Sequence, residues 1–499
     1  MSQINTNISS ILAQRVLGQQ NKSLATSLER LSTGLAINRG ADNPAGLIAS
    51  ENLRSEKASI SAAIGNAERA DTVMNIAEGG LQEISNLLIE VQSLVGESAN
   101  DAGLSTEEKE ANQLQIDSIL QTIDRIASST SFQGTKLLNG NFDFNVTGQA
   151  ARVSDYTING AKLADSDTRA VDVVITASAQ HGSLFVSAGA TAIDLGSAGD
   201  ALVFEVAGSK GAREFSFASG TALSAIAAQV NTFTSVTGVS AVASAAVLEF
   251  KSDAVGDSEF VSFSVSDHGG LSGGEVFTAS ALNENAIGTS AGTFGTLTNA
   301  VKDSGQDVGA VINGIAATSN GSTARINSDF LDLELNLTTS GTQTLGAFTA
   351  LTVTGGGAKF NLGPNVDLTN QVSVGIENVA ARNLGNVSDG FLDDLGAGKS
   401  SNVVDGDVET AQTIVNSAIG KVSSLRGRLG AVQKNVIGAT IRSLGVALEN
   451  TSAAESAIRD TDFAAETAEL TRRQILVQAA SQTLSISNAQ PSNVLGLLR

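Results

Sequence analysis

Cysteine is absent from the 499-residue chain, so disulfides, thiolate metal sites and cysteine nucleophiles are excluded. Tryptophan is absent too, and there is one tyrosine, leaving few rings for base stacking. The formal charge of −21 repels a phosphate backbone. Both deficits argue against a nucleic-acid partner. Two histidines, His181 and His268, lie 87 positions apart, so a paired-histidine metal motif on one helix is impossible. Each is expected to be a solvated loop residue. No run of about 18 apolar residues occurs, so no membrane-spanning helix is expected. The opening MSQINTNISSILAQRVLGQQ lacks the basic flank and apolar block of a secretory signal.

What is present is unevenly distributed. Sixteen of the 18 phenylalanines lie between Phe142 and Phe391, which marks the middle as the aromatic part. Residues 141–400 carry 11 basic and 26 acidic side chains, whereas 401–499 carry 9 of each and are neutral. Two Ala/Ser/Asn/Gln-rich ends with helical periods therefore flank an acidic Gly/Phe/Thr-rich middle with strand periods.

At the beginning, Leu17, Leu24, Leu28, Leu31 and Leu35 form a heptad-like seam, with Ile4, Ile8 and Ile11 in a shifted register. The spacing predicts a helix over about 4–36. Asn43 is placed to cap the next helix and Pro44 to start it, because a first-turn residue needs no N–H. That helix carries Ile60, Ile64, Ala67, Met74, Leu81, Ile84, Leu88, Val91 and Val95, and Gly96 is expected to end it. Ser105 with Glu108 reads as a capping box before a third helix bearing Ile116, Ile119, Ile123 and Ile126.

The C-terminal part mirrors this pattern. Asp407 is placed to cap a helix with the stripe Ala418, Val422, Leu425, Leu429, Val432 and Val436. A phase-shifted stripe follows at Ile441, Leu444 and Leu448. Arg459-Asp460-Thr461-Asp462 interrupts, and Phe463, Leu470, Val477 and Leu484 then recur every seven residues. Pro491 and Ser492 precede a short apolar tail.

In the middle, REFSF (213–217), VLEF (247–250), EFVSFSV (259–265) and LDLELNL (331–337) alternate as strands. Gly208 to Gly211 reads as a hairpin link, LSAIAAQVNTF (223–233) as a helical interruption, and the glycines at 269–274 and 355–357 as loops. Neither glycine cluster carries the Lys-Ser/Thr of a phosphate loop. No catalytic constellation, cofactor site or metal site emerges; Asp393-Asp394 and Glu107-Glu108 read as solvated surface. Asn-x-Ser/Thr sequons such as Asn145-Val146-Thr147 occur.

The terminal seams need cover. Ile11 beside Leu12, Leu87 beside Leu88 and Ile475 beside Leu476 widen the apolar face beyond a two-helix contact. Ordering each residue costs about 1.5 kcal/mol, and apolar burial returns roughly 25 cal/mol per Å², so one thin seam is marginal. Packing on a core of the same chain is one solution. Packing among copies is the other, and contacts between unlike patches build rings or helical filaments.

The segment LERLSTGLAINRGADNPAGLIASENLRSE (28–56) resembles the N-terminal signature of bacterial flagellin, continued by ADTVMNIAEGGLQEISNLL (70–88) and TSFQGTKLLNG (130–140). AESAIRDTDFAAETAELTRRQILVQAASQTLSISNAQPSNVLGLLR (454–499) resembles its C-terminal end. Residues 222–252 resemble a repeat of flagellin inserts, and 305–314 and 360–385 the family's return to the helical core. The resemblance implies an α+β, discontinuous multidomain fold. Residues 1–43 with 455–499 would be a terminal coiled coil. Residues 44–142 with 355–454 would be a helical bundle with a β-hairpin, and 143–354 a β-rich outward insert of one or two subdomains.

It further implies a homopolymeric filament subunit located in the flagellum and exported unfolded by the type III apparatus. An export chaperone, a cap protein and hook–filament junction proteins would be its partners. A hook–filament junction protein, an outer-domain adhesin and an enzyme-bearing insert are the alternatives; the lack of paired histidines opposes a metallopeptidase insert. Where many flagellins carry an arginine used by a vertebrate innate receptor, the matching position here is Glu90; Leu94 is kept, and Gln115 stands where glutamate is common.

Overall fold

A computed structural model describes residues 6–496 apart from 101, 165–166, 197–199, 272 and 281–282. Ile4 and the last three residues of the apolar tail lie outside the described residues. The chain falls into two compact units. The first comprises Met1–Thr72, Asn361–Asn370 and Ala431–Arg499; the second comprises Val73–Phe360 and Gln371–Gly430.

Helix α1 spans Ile8–Thr33. The Asn7 side chain accepts the Ser10 N–H at its start, and Gly34, at φ 74°, closes it in the left-handed conformation that glycine adopts without strain. Helix α2, Pro44–Ser98, begins as expected: the Asn43 side chain accepts the Gly46 N–H at 3.0 Å. It continues two residues past Gly96. Helix α3, Thr106–Ser129, carries the full capping box, in which Glu108 N–H donates to Ser105 Oγ and Ser105 N–H to Glu108 Oε2.

In the second unit the helices supply an apolar bundle. Met74, Leu81, Ile84, Leu88 and Val91 of α2 are buried, as are Ile116 and Ile123 of α3. The bundle's third helix runs over Val408–Ala431; its first-turn N–H groups at Glu409 and Thr410 donate to Asp407 Oδ1. Its stripe Ala418, Val422, Leu425 and Leu429 is buried. Val432–Ile437 then adopts a π-helical turn. This turn explains the five-residue step from Val436 to Ile441 in the sequence: one extra residue per turn resets the phase of the apolar stripe.

The β-rich middle consists of two nested lobes. The host lobe has a five-stranded antiparallel sheet ordered 315–316, 309–312, 169–177, 346–356, 144–147. Its four-stranded sheet is ordered 318–320, 323–327, 331–337, 153–161. Alternation sets the inward faces, with Val171, Val173 and Ile175 from one sheet and Leu331, Leu333, Leu335 and Leu337 from the other in one core. The inserted lobe occupies residues 183–304. One of its sheets is ordered 283–293, 275–280, 183–187, 247–252, 239–244; the other is ordered 301–304, 260–267, 201–208, 212–218. Helix α4, Leu223–Asn231, adds Leu223, Ile226 and Val230 to its core. Phe204 lies at the centre, within 5.0–6.1 Å (ring centroids) of Phe215, Phe217, Phe250 and Phe263.

Two expectations are corrected. Gly355 and Gly356 are not loop residues: they end the strand 346–356 past a bulge at Val353, and both have positive φ. Phe142 makes an isolated bridge to Ile376, and Phe144 begins the strand 144–147. His181 is half-buried, not solvated: its N–H donates to Glu284 and its Nδ1 lies 2.8 Å from the Ser252 carbonyl. The link at 208–211 is a hairpin, with Gly208 N–H donating to Gly211 O at 2.9 Å.

Candidate self-assembly interface

In the first unit the terminal helices pair side by side. Helix α5, Val408–Ala431, leads through the π turn into helix α6, Gly438–Arg459, and a short break leads to helix α7, Phe463–Gly496. The break is made by the Arg459-to-Asp462 stretch, and the Asp462 side chain accepts the Ala464 and Ala465 N–H groups, capping α7. Pro491 does not end α7, which runs on to Gly496. The chain returns beside α1 at this break: Ala36 N–H donates to Arg459 O and Thr461 N–H to Gly34 O.

The two helices run antiparallel. Asn7 Nδ2 donates to Ser487 O at 2.8 Å, Ser10 Oγ to Asn488 Oδ1 at 2.6 Å, and the Arg473 guanidinium to Ser23 O. Arg30 faces Glu466 at 3.7 Å. This register sets Leu17 level with Val477, Leu24 with Leu470 and Leu31 with Phe463.

The covered seam positions of α1 are Ser10, Ala13, Leu17, Gln20, Leu24, Ser27 and Leu31, a 3-4 repeat, with Ser23, Thr26, Glu29 and Arg30 half-buried beside them. Those of α7 are Glu466, Leu470, Arg473, Val477, Ala480, Leu484 and Ser487, the same repeat. Leu35 is half-buried and bridges to Asp460, whereas Leu28 lies off the seam and is half exposed. Phe463 is 54% exposed, although its ring lies beside Gly34.

The apolar repeat in the sequence is thus interleaved with small and polar residues. Ser10, Ser27 and Ser487 are buried, and the Ser27 hydroxyl has no hydrogen-bond partner among the described residues. An unmet buried hydroxyl costs about 1–3 kcal/mol. Leucine side chains only half covered return a fraction of the roughly 1.5–3 kcal/mol of full burial. The pair is therefore weakly held within one molecule.

A second apolar face faces solvent. Ile8, Ile11, Leu12 and Val16 of α1 are exposed, as are Ile475, Leu476 and Ile486 of α7. Ile8 and Ile486 are level in the register. An apolar patch rimmed by polar residues marks a contact surface for another macromolecule.

Charges on α7 fix its own geometry. Glu469 Oε1 accepts from Arg472 at 2.7 Å and from Arg473 at 2.9 Å. The Arg472 hydrogen bond first, then that of Arg473, hold the Glu469 carboxyl down at about 2, against 4.5 for a free glutamate. A carboxyl depressed in the folded state contributes stability above pH 4.5 that is lost as the pH falls through about 2. Glu469→Gln should therefore leave α7 less sensitive to acid across that window. Helicity and hydrogen exchange of 463–490 between pH 5 and 2 check this; equal acid sensitivity in parent and variant opposes it.

The other singled-out positions lie in the second unit. Glu90 on α2 and Gln115 on α3 are exposed, whereas Leu94 is buried. Among the described residues, no group of three His, Asp or Glu side chains is placed to hold a metal, and no helix is long and apolar enough to cross a membrane.

Similarities to known proteins converge on these elements. Residues 4–143 match the bacterial flagellin N-terminal helical region, 412–498 the bacterial flagellin C-terminal helical region, and 201–254 the flagellin hook IN motif. The B-type flagellin of Pseudomonas aeruginosa is 30% identical, with 99% of each chain covered. The flagellin of Salmonella typhimurium is 28% identical, again over 99% of each. A solved structure of FliC from Burkholderia pseudomallei covers 73% of this chain and 99% of its own at 14% identity, with a TM-score of 0.24 that carries no weight here. Helical terminal regions, a β-rich middle and a full-length match to a curated flagellin together place the chain in the bacterial flagellin family.

Proposed function

We propose that this chain is the structural subunit of a bacterial flagellar filament, polymerising through α1 and α7. The observation that carries the reading is the solvent-facing apolar surface of a terminal helix pair that is itself weakly sealed. A second copy, offering the same helices at another register, is the partner that such a surface fits. Unlike patches meeting head to tail propagate into a helical polymer. In this reading 1–43 with 455–499 form the inner layer, 44–142 with 355–454 the next, and 143–354 faces outward. The acidic middle keeps the polymer surface soluble.

Export unfolded through the type III apparatus fits a chain without cysteine, which forms no cross-links before threading. An export chaperone on the C-terminal segment, a cap protein and the hook–filament junction proteins are the further partners this reading brings. Negative-stain microscopy after salt-induced seeding tests it. Long uniform filaments are expected; protein that stays monodisperse under every polymerising condition opposes it.

Glu90 sets the immune consequence. An anion at the place of a receptor-contacting cation reverses the local field. The parent should be a weak agonist of the innate receptor, and Glu90→Arg should raise reporter-cell potency at least tenfold. Full potency of the parent at ordinary doses, or no gain in the variant, counts against this.

A further inference from the structure

The geometry points to a double-crossing clamp that locks the two β lobes into one mechanical body, with Asp307 and Glu284 as its pins. The chain passes between the lobes twice, at 178–182 and 305–308. Two successive crossings joined by flexible linkers would act as a hinge; these are joined to each other. Gln180 N–H donates to Gln306 O and Gln306 N–H to Gln180 O, each at 2.9 Å. Gly256 of the inserted lobe donates to Gln180 O at 3.2 Å, and Gly305 donates to Glu259 O at 2.8 Å. The crossings thus form a short strand pair stitched to the inserted lobe.

Two carboxylates extend the stitching. Asp307 Oδ1 accepts the Asp257 N–H of the inserted lobe at 3.0 Å and the Gly321 N–H of the host lobe at 2.8 Å. Glu284, 3% exposed on the inserted lobe, accepts from His181 N–H in the crossing, from Lys251 Nζ at 2.7 Å, and from Gln343 Nε2 of the host lobe at 3.1 Å. Glu284 is buried, so losing these donors would leave its charge uncompensated; half-buried Asp307 resists separation through its two backbone hydrogen bonds, one to each lobe. Val255 of the inserted lobe packs on the host-lobe core.

Glycine permits this proximity. A Cβ on Gly305 would lie 2.5 Å from both the Gln180 and Gly256 carbonyl oxygens, and one on Gly321 would lie 2.8 Å from Val255 O. No side chain fits where these backbones meet. Hinges need room for φ and ψ to change, and this junction leaves none.

The absence of cysteine makes the test clean. Spin labels at Val242→Cys on the inserted lobe and Ile315→Cys on the host lobe, both exposed positions, report the distance between lobes in the dilute full-length monomer. One narrow distribution is expected in the parent. At least a twofold broadening is expected when Asp307→Ala and Glu284→Gln are combined. Asp307→Ala alone serves if the pair of changes unfolds a lobe, and should speed exchange of the Gln180 and Gln306 amides at least tenfold. A broad parent distribution overturns the clamp. An unchanged distribution and unchanged exchange in the variants overturn the assignment of its pins. Neither readout depends on polymerisation, so filament formation stands or falls separately.

Discussion

A chain carrying Ile8→Glu and Leu12→Glu is expected to fold like its parent and to form no filaments. Both side chains are exposed in the monomer, at 69% and 50%, so folding does not rely on their burial. They belong to the free apolar face of α1, shared with Ile11 and Val16, that the proposed polymer would cover. Burying the part of these two side chains that is still exposed is worth about 2–4 kcal/mol. Each 1.4 kcal/mol is roughly tenfold in an equilibrium constant. The concentration needed for growth should therefore rise by a factor on the order of 10 to 10³, and burying two carboxylates adds to the penalty. Sedimentation of seeded protein gives the critical concentration, and circular dichroism of the monomer confirms the fold. Filament growth at the parental concentration would show that this face is not the contact.

The second large effect is expected in the inserted lobe. Phe204 is 2% exposed and has four phenylalanine rings around it. Phe204→Ala removes the hub of that cluster. Truncating a buried phenylalanine costs about 3–5 kcal/mol, a large share of the roughly 5–15 kcal/mol that holds a typical domain. Hydrogen exchange across 201–218 and 247–265 should accelerate by at least a hundredfold, while α3 stays protected, because the helical bundle has its own core. Filaments should still form from this variant, since the lobe lies far in sequence from α1 and α7. Acceleration spread equally over the bundle would mean that the two cores are not independent.

The parts of the fold that could be read in the sequence are those set by local chemistry. Asn43 with Pro44, Ser105 with Glu108, and Asp407 each satisfy first-turn N–H groups of a following helix, and each does so in the structure. Period-two alternation in LDLELNL, with the polar residues between, gives one buried face without knowledge of the partner strand. The phase slip between Val436 and Ile441 was visible, but its cause was not: a π turn and a register break look alike in a list of apolar positions.

The seam between α1 and α7 was legible by half. Leu17, Leu24, Leu31, Leu470, Val477 and Leu484 stand on the seam as periodicity indicates. Ser10, Ser27 and Ser487, which share it, carry no hydrophobic signal. Small residues are buried because they let two backbones come close, and nothing in a hydropathy pattern announces that. Leu28 has the signal without the seam burial. Nesting one β lobe in another was equally hidden, because strands 169–177 and 309–312 pair across more than 130 residues. Long-range pairing leaves no trace in either segment alone. His181 looked solvated because the sequence around it is turn-like, while its partner Glu284 arrives from a distant strand.

The antiparallel register of α1 and α7 also bears on where foreign cargo belongs. The beginning of α1 lies against the Ser487 and Asn488 turn of α7, beside the exposed Ile8 and Ile486. A fluorescent tag inserted at this stretch of either helix would crowd that single spot. Residues 298–300, exposed on a loop of the inserted lobe, offer a berth for a passenger peptide that alters neither helix.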